Sequence, residues 1–327
     1  MSRIVFVLGA GASREAGAPL MLDFLDVASN LLRTGRAGQR KASFEAVFKG
    51  IGELQLVHSK AQLDIQNLES VFAAFEMARI VGKFGNYSSE EINCLADAMN
   101  DVIVGTLEST LPLPVRNRRV LAPPPYGDLV DLIGDLVQKP TPGESVAVVT
   151  FNYDMAADYA FHVVGGPITY ALGEPTRNDA IPLLKLHGSL NWAKCCKCGA
   201  VVPWPLGDYF RQHNWPFLLE ETTSAILGIA THLQEHEHCG EPVHPQPVIV
   251  PPTWNKSDHH LSLSQVWARA AKEMGEAESI FVIGYSLPPS DAFFRYLYAL
   301  GTVGRAPRYN RKLWIGAIKE GGVSLGC

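Results

Sequence analysis

The sequence predicts an α/β protein in which helices connect the strands of a mostly parallel β-sheet. Short apolar runs, typical of buried strands, alternate with longer stretches in which apolar residues recur every three or four positions. Glycine or polar residues follow several of these runs directly. Strands that alternate with helices form parallel sheets with helical crossovers. In such sheets ligands bind outside the carboxyl ends of the strands.

The predicted elements follow one another along the whole chain. The predicted strands are residues 3–8, 145–149, 182–186, 247–250, 279–284 and 312–318. The predicted helices are residues 20–34, most of 43–110, 128–137, 260–274 and 292–300. Within 43–110, Leu68, Val71, Phe72 and Phe75 lie three or four apart and therefore share one helical face. Residues 193–247 are predicted to be irregular, because Cys, His, Pro and Trp interrupt any periodicity.

Charge and hydropathy exclude several classes of protein. The 327 residues include 28 Lys and Arg against 33 Asp and Glu, so the net charge of −5 offers no basic surface for nucleic acid. The apolar runs are shorter than the ~18 residues that a membrane helix needs. The first run, "RIVFVL", leads into glycines and Arg14-Glu15 rather than a cleavage site, so we interpret it as a strand. We expect a cytoplasmic protein, and a homo-oligomer stays open.

The loop after the first strand is a candidate phosphate-binding loop. In "GAGAS", Gly9, Ala10 and Gly11 would let the backbone approach a phosphate. Ser13 and the start of a following helix would supply hydrogen-bond donors. The full dinucleotide fingerprint would place a third glycine where Arg14 stands, and a simple turn between strand and helix is the alternative.

Three further strand ends carry polar residues. Asn152 and Asp154 follow one predicted strand, and either could instead cap a helix. His187 follows "PLLKL", and a core histidine bonded to the backbone is the alternative there. Gly284 and Ser286 follow the strand at 279–284. Four such loops at one edge of a sheet favour a binding site over four unrelated turns.

The cysteines and histidines predict a structural zinc site. "CCKCG" and "HEHCG" each contain two metal-binding residue types separated by two positions and followed by glycine. This pattern indicates two zinc knuckles and a closed tetrahedral Cys₃His site. Unliganded thiols are the alternative. The predicted ligands are Cys195, Cys198, His236 and Cys239, with Cys196 and His238 as substitutes if the register slips.

Taken together, these motifs resemble the sirtuin family, and in particular its bacterial sirtuin-like branch, for which "KLHGSLNW" and "GYSLPPSD" are typical. The resemblance spans most of the chain and is weakest from about residue 23 to 145. It implies a Rossmann-like NAD-binding domain with helices on both sheet faces, a long helical insertion and a small zinc module. It also implies domain boundaries: 1–192 and 244–327 for the NAD-binding domain, with the insertion within 23–145, and 193–243 for the zinc module.

The resemblance implies roles for the residues at the strand ends. "GAGAS" would hold the pyrophosphate, while Asn152 and Asp154 would line the pocket for nicotinamide and ribose. His187 would be the catalytic base, for which an unperturbed pKa of ~6.5 is suitable. Gly188 would leave room for the nucleotide. The loop with Gly284 and Ser286 would touch the nucleotide as well.

Three functions are compatible with this resemblance. The first is an NAD glycohydrolase that releases nicotinamide and ADP-ribose, an activity that the sirtuin-like branch uses in defence against phage. The second is an NAD-dependent deacylase acting on an acylated protein, and the third is a catalytically silent sensor of NAD or ADP-ribose. "AGAPLMLDF" keeps Pro19 but lacks the Phe-Arg pair of the deacylases, which favours the first. The presence of both Asn152 and His187 argues against the sensor.

Overall fold

A computed structural model describes most of the chain, namely residues 3–117, 119–138, 145–173, 179–213, 224–250, 262–285, 292–303, 312–319 and 322–326. Its internal contacts divide the chain into two compact units. The first, here called the sheet unit, contains Met1–Ala16, Pro112–Ile249 and His259–Cys327. The second, here called the helical unit, contains Gly17–Leu111 and Val250–Asp258.

The helices and strands are numbered in chain order. The α-helices are α1 (Phe24–Arg33), α2 (Lys41–Gln55), α3 (His58–Ala61), α4 (Leu68–Val81), α5 (Ser89–Thr110), α6 (Tyr126–Gln138), α7 (Ala156–Val163), α8 (Leu206–Gln212), α9 (Ser264–Glu276) and α10 (Ala292–Thr302). The strands are β1 (Arg3–Leu8), β2 (Leu113–Arg116), β3 (Arg119–Val120), β4 (Ser145–Thr150), β5 (Ile168–Thr169), β6 (Ile181–Lys185), β7 (Gly188–Cys195), β8 (Val201–Pro203), β9 (Ser224–Ala225), β10 (Glu237–His238), β11 (Glu241–Ile249), β12 (Ser279–Ile283), β13 (Lys312–Lys319) and β14 (Gly322–Gly326).

The main sheet of the sheet unit is parallel except at one edge. In the described part of the chain it has seven strands in the order β14-β13-β12-β1-β4-β6-β5. Strand β1 lies at its centre, where Val5 is in register with Ile280 on one side and Ala147 on the other. Only β14 runs antiparallel to its neighbour, β13. The predicted α/β class with a mostly parallel sheet is confirmed. Because β12, β1, β4 and β6 are adjacent and parallel, their carboxyl ends share one edge.

The helical unit contains α1 to α5, and its helices begin and end where the sequence supplies caps. Asn67 accepts hydrogen bonds from the first turn of α4, and Gly82 ends that helix in the left-handed conformation. Ser88 and Glu91 form a capping box at the start of α5. The face of α4 predicted to be apolar is buried, as its four residues Leu68, Val71, Phe72 and Phe75 show.

Residues 193–247 differ from the prediction, because much of this segment is regular. A second, antiparallel sheet contains β7, β8, β10 and β11 in the order β10-β11-β7-β8, and α8 follows β8. The apolar periodicity was weak for a physical reason. Strand β11 has the sequence EPVHPQPVI, and its register against β7 shifts twice. Prolines remove ladder hydrogen bonds and are uncommon inside strands.

Some described segments remain outside these two sheets. A third, small sheet has the order β3-β2-β9. Among the described helices, none combines the length and the apolar character that crossing a bilayer requires. The division at residues 193 and 244 that the sequence suggests for a zinc module stays a prediction.

Candidate functional site

Three of the predicted site residues, Ser13, Asn152 and Asp154, form hydrogen bonds with one another beyond the ends of β1 and β4. The fourth, His187, follows the adjacent strand β6 and contacts the ring of Phe151. Ser13 follows β1, Asn152 and Asp154 follow β4, and His187 follows β6. All four are buried, and Asn152 is the most accessible at 9%. Buried polar side chains need partners, so the hydrogen bonds among these residues determine what each can offer to a ligand.

Ser13 is the centre of a hydrogen-bond network. The amide Nδ2 of Asn152 donates to Ser13 Oγ at 3.0 Å and to the carbonyl of Gly9 at 2.9 Å. Ser13 Oγ donates to Asp154 Oδ2 at 2.7 Å and lies 2.8 Å from the hydroxyl of Tyr126. A serine has one proton, so when it goes to Asp154 the Tyr126 hydroxyl is the donor to Ser13. The network therefore fixes the side chain of Asn152 through Nδ2.

Asp154 has a structural role at both carboxylate oxygens. Oδ2 accepts from Ser13, and Oδ1 accepts from the backbone N–H of Ala156 at the start of α7 at 3.0 Å. Burial raises the pKa of Asp154 above its ordinary value, although the nearby positive charge of Lys185 opposes this shift. Burial also raises the pKa of Tyr126, so its hydroxyl stays protonated as a donor. Asp154 therefore supports the start of α7 through a local hydrogen bond, although the N-cap position of that helix belongs to Met155.

Lys185 lies beneath the site and was not recognised from the sequence. Its ammonium group is fully buried and lies 2.7 Å from Asp158 Oδ2, which also has no exposed surface. The same group donates to the backbone carbonyl of Asp154. Asp158 accepts a further hydrogen bond from Tyr170 at 2.6 Å. A buried ion pair with these extra hydrogen bonds ties the loop after β4 to the end of β6.

Aromatic rings surround His187. The ring of Phe151 meets it edge-on at 5.1 Å between centroids, and Tyr153 stacks near it at 6.0 Å. Phe151 in turn stacks on the ring of Tyr285, which follows β12, with the two ring centroids 4.7 Å apart. The backbone around His187 is also held, because Trp267 donates its indole N–H to the carbonyl of Leu186. The imidazole therefore lies among apolar rings, on a fixed backbone.

The glycines of "GAGAS" serve close packing between two loops. A side chain on Gly11 would place a Cβ atom 2.8 Å from the carbonyl oxygen of Gly284, and one on Gly284 would place it 2.1 Å from the backbone nitrogen of Ala12. The N–H groups of Gly9, Gly11 and Ala12 already donate to Ile283, Gly284 and Gly9 carbonyls. These three donors are consequently engaged within the protein, which differs from the expected role in binding phosphate directly.

Two other sequence interpretations of this region need correction. Within "GAGAS", Ala10–Ser13 form a short 3₁₀ helix, and the next α-helix begins only at Phe24, so no α-helix N-terminus follows the loop directly. Gly188 has a φ of +85°, and a Cβ there would lie 2.0 Å from the carbonyl oxygen of Val248. Its role is to let β7 approach β11, rather than to leave room for a nucleotide. Ser286 lies outside the described residues.

Of the residues missed by sequence analysis, one carried a signal in the sequence. Lys185 interrupts the apolar run "PLLKL", and a lysine in a buried strand needs a counter-charge. Tyr126 precedes the helix predicted at 128–137 and Asp158 lies outside the predicted helices, so neither gave such a signal. Only the fold brings them next to Ser13 and Lys185.

A separate cluster of metal-binding residue types lies in the antiparallel sheet. The potential ligand atoms of Cys195, Cys198, His238 and Cys239 all lie within 4.8 Å of one another. Nδ1 of His238 lies 3.7 Å from Cys198 Sγ and 3.3 Å from Cys239 Sγ. Four ligands placed tetrahedrally around zinc, with Zn–S bonds of ~2.3 Å, lie about 3.8 Å apart. The four residues fit a closed zinc site.

The histidine of this cluster is His238, not the predicted His236. Cys239 and Gly240 have φ values of +58° and +77° and form the two-residue turn of the β10–β11 hairpin. This turn brings the adjacent residues His238 and Cys239 to the same cluster. His236 instead stacks on Trp204, with ring centroids 5.4 Å apart. The assumption that both ligand pairs have equal spacing was therefore wrong.

The cluster favours thiolate at its buried member. The backbone N–H of Cys198, followed by His238, lowers the pKa of the Cys195 thiol to about 6. Thiolate is the form that binds metal. Cys196 is exposed and lies outside the cluster.

Comparisons with known proteins leave the family undetermined. No family model and no curated protein matches the sequence. Similar solved structures include one on the mechanism and regulation of Sir2 enzymes, at 15% identity and a TM-score of 0.39 over 96% of this chain and 79% of that chain. A Sir2 homologue bound to NAD is 14% identical, with a TM-score of 0.34 over 91% and 75% of the two chains. A Sir2 mutant with a p53 peptide and NAD is 12% identical, with a TM-score of 0.32 over 95% and 85%. The α/β class follows from the parallel sheet of this chain itself.

Proposed function

We propose that this protein is a sirtuin-type NAD glycohydrolase, which hydrolyses NAD to nicotinamide and ADP-ribose beyond the ends of β1, β4 and β6. One observation carries the proposal. His187 and Asn152, which the sirtuin motifs single out, are both buried at neighbouring strand ends, and both side chains are held in place by their surroundings. A rigid base next to a rigid amide is a suitable arrangement for directing water at a bound substrate.

The polar groups that remain suit the nicotinamide and ribose end of NAD. They are Oδ1 of Asn152, whose Nδ2 is engaged within the protein, and the imidazole of His187, together with aromatic rings. The pyrophosphate end is less well matched, because the amides of Gly9 and Gly11 are already engaged. Binding of the diphosphate would use other donors or a rearrangement of this loop.

Hydrolysis breaks the bond between nicotinamide and ribose C1′. Positive charge develops on the ribose, as in glycoside cleavage, and nicotinamide leaves as a neutral molecule with the bonding electrons, so the reaction needs no general acid. A water oxygen forms the new bond to C1′. His187 accepts the proton that the water loses, and Asn152, held through Nδ2, presents Oδ1 to orient the water or a ribose hydroxyl.

The test replaces the two proposed catalytic residues. Asn152→Ala and His187→Ala should each lower the rate of nicotinamide release by ~10²–10⁴-fold, the usual effect of losing a positioned acid–base group. NAD affinity, measured by calorimetry, should fall much less. The double variant should be only slightly worse than either single variant, because both residues act on one step. His244→Ala, at an exposed position on β11, is the matched control and should retain full activity.

The substrate dependence separates this function from the others. Release of nicotinamide without any acylated peptide supports the glycohydrolase. Release only when an acylated peptide is present would make the protein a deacylase. Tight NAD binding with no release in either condition would contradict both activities and leave a sensor.

A role in defence against phage, in the cytoplasm, belongs to the same proposal and rests on the resemblance to the sirtuin-like branch. Cells that express the wild-type protein should lose NAD during infection, whereas cells that express His187→Ala should keep it. Equal NAD levels in the two strains, with active purified protein, would contradict the defence role while leaving the enzymatic proposal intact.

A further inference from the structure

We propose that His213, His232 and Glu235 form a second metal site, which binds one divalent first-row transition-metal ion such as Zn²⁺ through two imidazoles and one carboxylate. The site is separate from the cysteine cluster and from the residues proposed to act on NAD. It stands whether or not either of those assignments holds.

The ligand atoms lie close to the spacing of neighbouring ligands on one ion, and a cation would replace the hydrogen bond that now joins His232 to Glu235. Glu235 offers one carboxylate oxygen to each histidine. Oε2 lies 3.3 Å from His213 Nε2, and Oε1 lies 2.7 Å from His232 Nδ1. The ring centroids of the two histidines are 4.7 Å apart. Ligands at ~2.0–2.2 Å from one ion lie about 3.0–3.5 Å from each other, so a small adjustment would admit a cation.

The backbone and neighbouring rings preorganise the three side chains. His213 is at the end of α8, where its N–H donates to the carbonyl of Tyr209, and the ring of Tyr209 lies 4.5 Å from its imidazole. His232 precedes a short 3₁₀ helix, Leu233–Glu235, of which Glu235 is the last residue, and the N–H of Glu235 donates to the carbonyl of His232. Rigid ligands lose little entropy when they bind an ion.

One ligand atom points to a partner beyond the protein. Nε2 of His213 is buried and makes no hydrogen bond among the described residues, although a buried ring nitrogen normally has one. Oε2 of Glu235 lies 3.3 Å from it, an ion-pair distance at which no hydrogen bond forms. A cation between these two atoms would satisfy both.

The chemistry of the ligands selects the class of ion. Two imidazoles and one carboxylate suit zinc and the neighbouring transition metals, whereas Mg²⁺ and Ca²⁺ prefer ligand sets made of oxygen. Three protein ligands leave at least one coordination position for water. The side chains of His232 and Glu235 are 40% and 39% exposed. The ion should therefore exchange more readily than one in the cysteine cluster.

The experiment compares zinc binding by full-length variants. Protein treated with a mild chelator is titrated with Zn²⁺ by calorimetry, and bound metal is counted after dialysis. His213→Gln, His232→Gln and Glu235→Gln should each lose one zinc per chain, or bind it at least about tenfold more weakly than wild type. His244→Gln, another exposed histidine on β11, should behave as wild type. Cys198→Ser should still bind the ion at the histidine site, whatever happens at the cysteine cluster.

Equal zinc stoichiometry and affinity in wild type, His213→Gln and His232→Gln would overturn the proposal and leave only hydrogen bonds between these residues. If a variant fails to fold, X-ray absorption of the zinc-loaded wild type decides instead. Zinc with nitrogen and oxygen neighbours supports the site, and sulfur-dominated coordination of all bound zinc excludes it.

Discussion

At the scale of single residues, the polar groups of the candidate site stabilise each other by hydrogen bonds, but their burial disfavours the charged form of Asp154. Asp154 is buried with its carboxylate between Ser13 and the start of α7, and Lys185 supplies a compensating positive charge nearby. Burial still raises the pKa of Asp154, which means that the folded protein disfavours the charged form. A neutral group of the same shape should therefore be tolerated better than the carboxylate.

We accordingly expect Asp154→Asn to be more stable than wild type at neutral pH. The folded-state pKa of Asp154 lies above its ordinary value of 3.8, so the unfolded chain loses this proton first as the pH rises. Wild type then loses stability relative to the variant until the pH passes the folded-state pKa. Urea unfolding of both proteins at several pH values measures the difference, which should vanish at low pH and grow as the pH rises. A difference that instead grows as the pH falls would contradict this.

Replacing Lys185 should instead destabilise the protein, because its removal leaves Asp158 without its counter-charge. Replacing one partner of a buried ion pair usually costs about 3–5 kcal/mol. Lys185→Met should therefore lower the free energy of unfolding by about that amount in urea titrations. Lys194→Met, at an exposed position on β7, is the control and should change it by no more than about 0.5 kcal/mol. Equal effects of the two variants would show that the buried pair contributes nothing.

The sequence predicted the positions of the candidate residues better than their partners. His187, Asn152 and Asp154 were found because each follows a run of apolar residues, and a strand end is visible in a sequence. The contacts of Ser13 with Tyr126, and of Lys185 with Asp158, join residues that are 113 and 27 positions apart. No local pattern encodes such pairs, because they depend on the order of the strands.

At the scale of elements, the contact between the loops after β1 and β12 determines the shape of the candidate site. Gly284 has a φ of +62° and lies against Gly11 and Ala12, so both its conformation and its surroundings exclude a side chain. Gly284→Ala should lower the melting temperature and weaken NAD binding together, because the two loops must separate. Gly134→Ala in α6, where nothing lies within 4 Å of the added Cβ, should leave both unchanged or raise stability slightly. A Gly284→Ala protein with the wild-type melting temperature would refute this tight contact.

The cysteine cluster yields a prediction for the antiparallel sheet. Cys198→Ser should abolish tight zinc binding and destabilise the protein, since a closed site contributes to folding rather than to chemistry. Cys196 is exposed and lies outside the cluster, so the Cys196→Ser variant is the control and should keep its zinc. Elemental analysis and thermal melting of both variants test this. Wild-type protein purified without chelator and free of zinc would contradict it.

The elements also show where sequence patterns lose their value. Strands β1, β4 and β12 were predicted closely, because continuous apolar runs are typical of central parallel strands. Strand β7 was missed, because the polar residues Ser189 and Asn191 are buried in it, and only the end of β11 was predicted, because prolines interrupt the rest of that strand. The sequence analysis preferred His236 to His238 as the zinc ligand. A hairpin turn, rather than residue spacing, brings His238 to the cysteines.

At the scale of the whole molecule, each of the two units has a core of its own. The core of the helical unit includes Phe44, Val47, Phe75, Leu95 and Met99, all essentially inaccessible. Phe75 is central to it, because its ring meets Phe84 edge-on at 5.7 Å. Its ring also lies where a Cβ on Gly50 would be. A unit with such a core and with capped helices is expected to fold without the parallel sheet.

The last prediction tests this directly with residues 17–111 expressed alone. The segment should have a helical circular dichroism spectrum and melt cooperatively, because its helices bury their apolar faces against one another. Within it, Phe75→Ala should cost about 3–5 kcal/mol, the usual effect of emptying a buried aromatic site. Ile80→Ala, on the same helix but 63% exposed, should cost far less. Gradual melting of the wild-type segment, or equal effects of the two substitutions, would mean that this core needs the rest of the chain to form.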